Sequence, residues 1–197
     1  TSVPAVEAQC VLSRFDATNG VTFSPTGADT IRIRVKSDGF LQAHKHYVQF
    51  SVTTAGQAAH LEGDANSFFD RVTISNAGQI LEQIERYAVY AGLRRNYNAP
   101  TDKILKKQIQ SGGGQLVTPL IGNLGTDVGK LQTIALSNLG EKITAGHTKI
   151  YTLQLESGFF MNAFNKALPM GMSEIEIELR LKAAAGVFVD TNAPTYP

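Results

Sequence analysis

Two segments of this chain alternate strictly between apolar and charged residues, and the two carry opposite charge. In Thr30–Lys36, Ile31, Ile33 and Val35 alternate with Arg32, Arg34 and Lys36. In Glu174–Leu181, Ile175, Ile177, Leu179 and Leu181 alternate with Glu174, Glu176, Glu178 and Arg180. A period of two sends the aliphatic set to one face of a strand and the charged set to the other. Each segment therefore demands a sheet with one covered and one wet face. Arg32, Arg34 and Lys36 form a ridge of like charge that repels itself, so an acidic neighbour suits it. The Glu174, Glu176 and Glu178 face has the right period and sign.

The rest of the chain repeats the strand theme in shorter pieces. Phe40 to Thr54 reads as one extended stretch, with Val48, Phe50 and Val52 alternating against Tyr47, Gln49 and Ser51. Ala55–Asn66 reads as a polar loop. Phe68–Ser75 reads as a strand, Asn76-Ala77-Gly78 as its hairpin turn and Gln79–Ile84 as the return. Thr148–Leu155 has Tyr151, Leu153 and Leu155 on one side, and Val187–Val189 is a short extended coda. A small strand is expected at Val21–Phe23, ending at Pro25. Helical spacing appears only in short runs, Glu85–Arg95 and Asp102–Ile109, the first with Tyr87, Tyr90, Ala91 and Arg94 on one stripe. Leu131–Leu136 reads as extended, Phe159–Phe164 as a compact aromatic patch taking a helical turn, and Leu168-Pro169-Met170-Gly171 as a rigid turn. Six to eight short strands with long loops between them describe an all-β sandwich; a parallel α/β chain would alternate strands with longer helices.

Composition agrees and excludes several classes of function. A chain of 197 residues can bury a sizeable core without disulfides or metal. Only 18% of residues are charged and the formal net charge is +1, so no global field draws nucleic acid or anionic lipid. The single cysteine, Cys10, permits no intrachain disulfide and reads as a small apolar filler. No apolar run reaches the length of a membrane-spanning helix, and no signal-peptide pattern opens the chain.

Candidate chemistry is sparse. Among four histidines, His44 and His46 would share a face of a strand, as zinc or cupin-type ligands do. No carboxylate completes such a site and His147 is distant, so solvent-facing or hydrogen-bonded histidines fit better; His60 has no complement either. Glu62, Asp64 and Asp70 lie close enough in sequence for a carboxylate pair, yet acids beside a loop more often cap turns. Gly112-Gly113-Gly114 lacks the lysine of a phosphate loop, and Ser157-Gly158 lacks the pattern of a nucleophile elbow. Lys103, Lys106 and Lys107, with Arg94 and Arg95 upstream, read as a solvated face or subunit contact rather than a nucleic-acid site. No catalytic, metal or cofactor site emerges.

Three segments resemble a known family. Phe69-Asp70-Arg71-Val72-Thr73-Ile74, the Asn76-Ala77-Gly78 turn and Ile80-Leu81-Glu82-Gln83-Ile84 resemble the first jelly roll of double-jelly-roll major capsid proteins from tailless icosahedral viruses with an internal membrane. Tyr151–Leu155, Ser157-Gly158-Phe159-Phe160 and Leu168-Pro169-Met170-Gly171 resemble the approach to the last strand of that barrel. The likeness implies an eight-stranded antiparallel jelly-roll sandwich with short helices in the loops. It implies an N-terminal arm over 1–28 reaching toward membrane or neighbours, a barrel over 29–190, and a tail or linker over 191–197. It implies a virion protein without catalysis or cofactor, assembling as a homotrimer or pseudo-hexameric capsomer with other capsid proteins and no specific nucleic acid. A chain of 197 residues holds one barrel, so a piece of a longer double-barrel product and a single-barrel relative both remain open. The competing classes are a carbohydrate-binding or cupin-like sandwich and a tail, spike or secretion-system component.

In such a barrel the first and last strands lie side by side. Thr30–Lys36 is then expected antiparallel to Glu174–Leu181, with Arg32, Arg34 and Lys36 facing Glu174, Glu176 and Glu178. Phe159, Phe160 and Phe164 are expected to form a packing or assembly patch.

Overall fold

The computed structural model describes residues 10–54, 59–61, 64–98, 142–143, 145–161, 167–170 and 174–188. The strands among them are β1 (Thr30–Val35), β2 (Phe40–Leu41), β3 (Val48–Thr53), β4 (Ala59–His60), β5 (Phe69–Asn76), β6 (Gln79–Glu85), β7 (Lys142–Ile143), β8 (Thr148–Leu153), β9 (Leu168–Pro169) and β10 (Ile175–Leu181). Helix α1 (Tyr87–Asn98) follows β6, and the single turn α2 (Gly158–Met161) follows β8.

The pairing is nested. β1 pairs with β10, β2 with β9, β3 with β8, β4 with β7 and β5 with β6, every pair antiparallel. Such nesting is what a long two-stranded ribbon produces when it folds over on itself. The ribbon rolls up because β5 also docks antiparallel on β10, giving a four-stranded sheet in the order β1-β10-β5-β6. The architecture is therefore an antiparallel jelly-roll sandwich.

Within this sheet the aliphatic residues form rows across the strands. Ile31, Leu179, Val72 and Ile84 stand in one row, and Ile33, Ile177 and Ile74 in the next, which ends at Glu82. Two irregularities keep the rows aligned. Opposite β10 the register slips between Arg180 and Leu181, so that Leu181 faces Phe69 and Arg180 faces Arg71. The extra residue, Asp70, lets Phe69 and Val72 both turn inward despite their odd spacing. Opposite β5 the register slips again, and Leu81 is the extra residue on β6. The hairpin between them closes through Ala77 and Gly78, both in the left-handed region at φ 49° and 81°. Two consecutive positive φ values match the right-handed twist of the strands that the turn joins.

Aromatic rings fill the space between the sheets. Phe50 of β3 lies 5.7 Å from Phe68 and 5.3 Å from Phe69 in edge-on contacts, and Phe68 lies 5.9 Å from Tyr151 of β8. Phe68 also meets Phe188 at 6.0 Å. Tyr87 and Ala91, one turn apart on α1, are buried, while Val89 and Leu93 on the other side of the helix are exposed.

Several sequence expectations change here. Phe40 to Thr54 is broken by a 3-10 turn over Ala43–Lys45, which buries Ala43. Ala55–Asn66 is no plain polar loop, because it contributes β4, and its Leu61 is fully buried and bridges Phe188. A 3-10 turn, Ala65–Phe68, follows, with every residue buried and Asp64 accepting the Asn66 N–H as its cap. Leu168-Pro169 is a short strand rather than only a turn: Pro169 lies opposite Phe40 in a two-stranded pair, an edge position that tolerates its missing N–H. Val187–Val189 is not an extended coda as far as it is described, since Ala184–Gly186 is a 3-10 turn and Phe188 a lone bridge. Val21–Phe23 forms no strand. The edge of β1 is instead held by Ala17, which bridges Ile33, and by Thr18, whose N–H donates to the Arg32 carbonyl at 2.7 Å. Asn19 continues the contact with its side chain, donating to the Thr30 carbonyl and accepting the Arg32 N–H. Cys10 is exposed, not packed as a filler, and Val11, Leu12, Ser13 and Arg14 after it are exposed as well. The readings at Asp102–Ile109, Gly112-Gly113-Gly114 and Leu131–Leu136, and the tail over 191–197, lie outside the described residues.

Candidate assembly surface

The outer face of the four-stranded sheet carries the charges that the inner rows exclude. β1 and β10 place Arg32 opposite Glu178 and Arg34 opposite Glu176. Arg32 Nε stands 3.3 Å from Glu178 Oε2, and Arg34 Nε stands 3.2 Å from Glu176 Oε2 and 3.3 Å from Glu174 Oε1. Lys36 lies one residue past the end of β1, is exposed, and has no ion pair among the described residues. Arg34 alone therefore serves both Glu174 and Glu176.

The network extends past these residues. Register sets Arg180 beside Arg71, two like charges on neighbouring strands. Each turns to its own carboxylate. Arg180 Nε donates to Asp29 Oδ2 at 3.2 Å, and Arg71 Nη2 donates to Glu178 Oε1 at 3.0 Å, with Glu85 at 4.0 Å on its other side. Glu178 thus accepts from both flanking strands, one oxygen to each. Charge runs from Arg32 through Glu178 and Arg71 to Glu85, across all four strands. The sequence spacing of Asp29, Arg71, Glu85 and Arg180 does not by itself mark them for this network. The usable signal was the alternation of Arg71, Thr73 and Ser75 with Val72 and Ile74. Because Arg32 and Arg34 are more than half exposed, each exposed pair contributes about 0.2–1 kcal/mol at most, enough to favour one register over a slipped one.

The aromatic patch divides. Phe160 is 2% exposed and belongs to the core, Phe159 is half-buried against it at 5.3 Å, and Phe164 lies outside the described residues. Glu82 holds the start of α2, its two carboxylate oxygens accepting the N–H groups of Gly158 and Phe159 at 2.8 Å each. Ser157 Oγ accepts the Phe160 N–H at 3.1 Å, so the turn is capped twice.

The histidines are not arranged as a strand-borne pair. His44 sits in the 3-10 turn and His46 just after it. His46 Nδ1 lies 2.6 Å from the Ala43 carbonyl oxygen, and its Nε2 accepts the Leu155 N–H at 2.9 Å. Burial pushes this imidazole below its ordinary value. With both nitrogens taken by backbone, His46 has no lone pair to give a metal. Among the described residues no three His, Cys, Asp or Glu side chains gather to hold one. Arg94 does not serve a solvated basic face: its Nε lies 3.6 Å from Glu156 and its Nη1 donates to the Tyr90 hydroxyl at 2.8 Å. Lys103, Lys106 and Lys107 lie outside the described residues. No helix among the described residues is long and apolar enough to cross a membrane.

No protein-family model matches the chain, and no curated protein matches it in sequence. Solved structures do match. One is the PBCV-1 virus capsid, a quasi-atomic model, with a TM-score of 0.54 and 12% identity over 96% of this chain and 42% of that one. This chain shares the jelly-roll fold of that structure. A second match is the crystal structure of PBCV-1 VP54 fitted into a cryo-EM reconstruction of the virophage Sputnik, with a TM-score of 0.55 and 12% identity over the same shares, 96% and 42%. The chain thus spans less than half of each capsid chain it matches. At this identity the likeness concerns the path of the backbone, which is the nested ribbon described above.

Proposed function

We propose that this chain is a structural virion protein, a jelly-roll subunit that builds a capsid by self-association. The observation that carries the reading is the nested antiparallel ribbon closed by β1, β10 and β5, a path shared with the PBCV-1 capsid over 96% of the chain. In this reading the subunit works as a homotrimer or pseudo-hexameric capsomer in an icosahedral shell, beside other capsid proteins and without catalysis. The salt-bridged outer sheet fixes the register of the barrel. The arm over 1–28 reaches beyond the barrel over 29–190, toward a neighbour or an internal membrane, after Ala17–Asn19 have crossed the β1 edge. Exposed Val11 and Leu12, at 69% and 90%, give that arm an apolar stretch to bury.

The rival is a carbohydrate-binding or cupin-like module. It loses ground at His46, whose ring nitrogens are occupied, and at Phe160, which is buried rather than displayed. Light scattering and native mass measurement of the purified chain decide between the two. A stable trimer or larger shell-like assembly is expected. A monomer that binds zinc or a glycan would overturn the reading.

A further inference from the structure

Two distant parts of the ribbon meet on one imidazole. His46 ends the corner between β2 and β3, and its Nε2 holds the N–H of Leu155, 109 positions along the chain. A carbonyl only accepts and a backbone N–H only donates, so the tautomer is fixed: Nδ1 carries the proton toward Ala43 and Nε2 offers its lone pair. The ring also lies 4.3 Å from the ring of Phe160 in α2. One side chain therefore joins the Ala43–Lys45 turn, the end of β8 and the aromatic turn beyond it.

We propose that His46 is an acid-sensitive latch: protonation at Nε2 expels the Leu155 N–H and releases the β2–β3 corner from the segment that leads into α2. Imidazolium has two donors and no acceptor, so the protonated ring would meet the Leu155 N–H donor to donor. It would also place a charge in a partly buried site that disfavours it. The surrounding groups modify this cost without reversing it. On the turn, His44 opposes a second positive charge and Lys45 is exposed. After β8, Glu156 favours imidazolium, but Arg94 of α1 already lies 3.6 Å from that carboxylate. From β6, Glu82 is engaged with the amides of Gly158 and Phe159, and α2 itself carries no charged side chain. Burial is the largest influence, and it lowers the pKa. The sign follows. Below the ordinary value of 6.5 the unfolded or opened chain binds a proton that the closed corner refuses. The latch is intact above that value and weakens as pH falls toward the lowered one. Opening would uncover Phe160, now 2% exposed. None of this depends on the capsid reading.

Hydrogen exchange at the Leu155 amide, corrected for intrinsic pH dependence, tests the latch on the full chain at about pH 7.5 and about pH 5. The wild type is expected to lose at least about tenfold in Leu155 protection at the lower pH, while Val72 and Leu179 in the four-stranded sheet keep theirs. His46→Gln, which cannot titrate, is expected to show the same Leu155 protection at both. The imidazole nitrogen shifts of the wild type should report the Nδ1-protonated form at 6.5 and should place its titration below that value. Leu155 protection that ignores pH in the wild type, an imidazole that titrates at or above 6.5, or a variant that keeps the acid loss would each overturn the proposal. If His46→Gln does not fold, the wild-type exchange and nitrogen shifts decide alone.

Discussion

The hydroxyl of Tyr87 accepts the backbone N–H of Glu156 at 2.7 Å, with the tyrosine fully buried. The contact ties the first turn of α1 to the segment leaving β8, and burial keeps the phenol neutral by pushing its pKa above the ordinary range. Tyr87→Phe keeps the ring but strands a buried N–H. The expected cost is about 1–3 kcal/mol, read as a lowered midpoint in denaturant unfolding with an unchanged slope. An unaltered midpoint would show that another acceptor replaces the hydroxyl.

The charge network makes a different, weaker contribution. A double-mutant cycle on Arg32→Ala and Glu178→Ala is expected to give a coupling of about 0.2–1 kcal/mol, because the arginine of the pair is more than half exposed. The coupling should shrink in about 1 M salt, where screening acts within a few ångströms. A coupling several times larger, or one indifferent to salt, would contradict the picture of a register-setting surface ladder.

Glycine substitutions separate backbone conformation from packing. Gly78 has a φ of 81° with open space where a Cβ would go, so Gly78→Ala is expected to cost about 1–2 kcal/mol through backbone strain alone. Gly92 lies in α1 with equally open space, and Gly92→Ala should stabilise by about 0.4–1 kcal/mol. Thermal melts of both variants check the opposite signs.

Glu82→Gln keeps the shape of the side chain but turns one acceptor into a donor facing a helix amide. Because a carboxylate accepts both the Gly158 and the Phe159 N–H, the change is expected to cost about 1–3 kcal/mol. Faster hydrogen exchange at those two amides, beyond any global loss, would locate the effect.

The parts of the fold that were legible in sequence are those with a regular period. β1 and β10 each have one aliphatic and one charged face, and β3 and β8 show the same alternation in weaker form. Two-residue strands such as β4, β7 and β9 have no period to read, and Pro169 looked like a turn residue because its edge pairing depends on where Phe40 lies. Ala55–Asn66 reads as polar because its buried apolar residues Leu61 and Ala65, with Phe68 just beyond, follow the spacing of a bridge and a 3-10 turn rather than of a strand. The bulges at Asp70 and Leu81 shift the face of every residue beyond them. That is why Glu82 ends on the inner side of the sheet, holding α2, where simple alternation gives no reason to expect a carboxylate. His46 eluded the sequence for a related reason: its partners, Ala43 and Leu155, are backbone groups.

The nested pairing also dictates an order of events in time. The β5–β6 hairpin closes over a two-residue turn, whereas Arg32 and Glu178 are 146 positions apart and Asp29 and Arg180 are 151. Each outer pair must overcome a larger loop entropy than the pair inside it, unless the inner pairs have already drawn its ends together. The chain is therefore expected to zip outward from β5–β6. Because these contacts are so distant in sequence, it should do so in milliseconds to seconds rather than microseconds. Until β10 enters between β1 and β5, both strands display unsatisfied edges. Stopped-flow refolding at rising protein concentration should therefore show a growing aggregated fraction formed in that interval, and the last strand to dock is the one that ends the chain's exposure to its own neighbours.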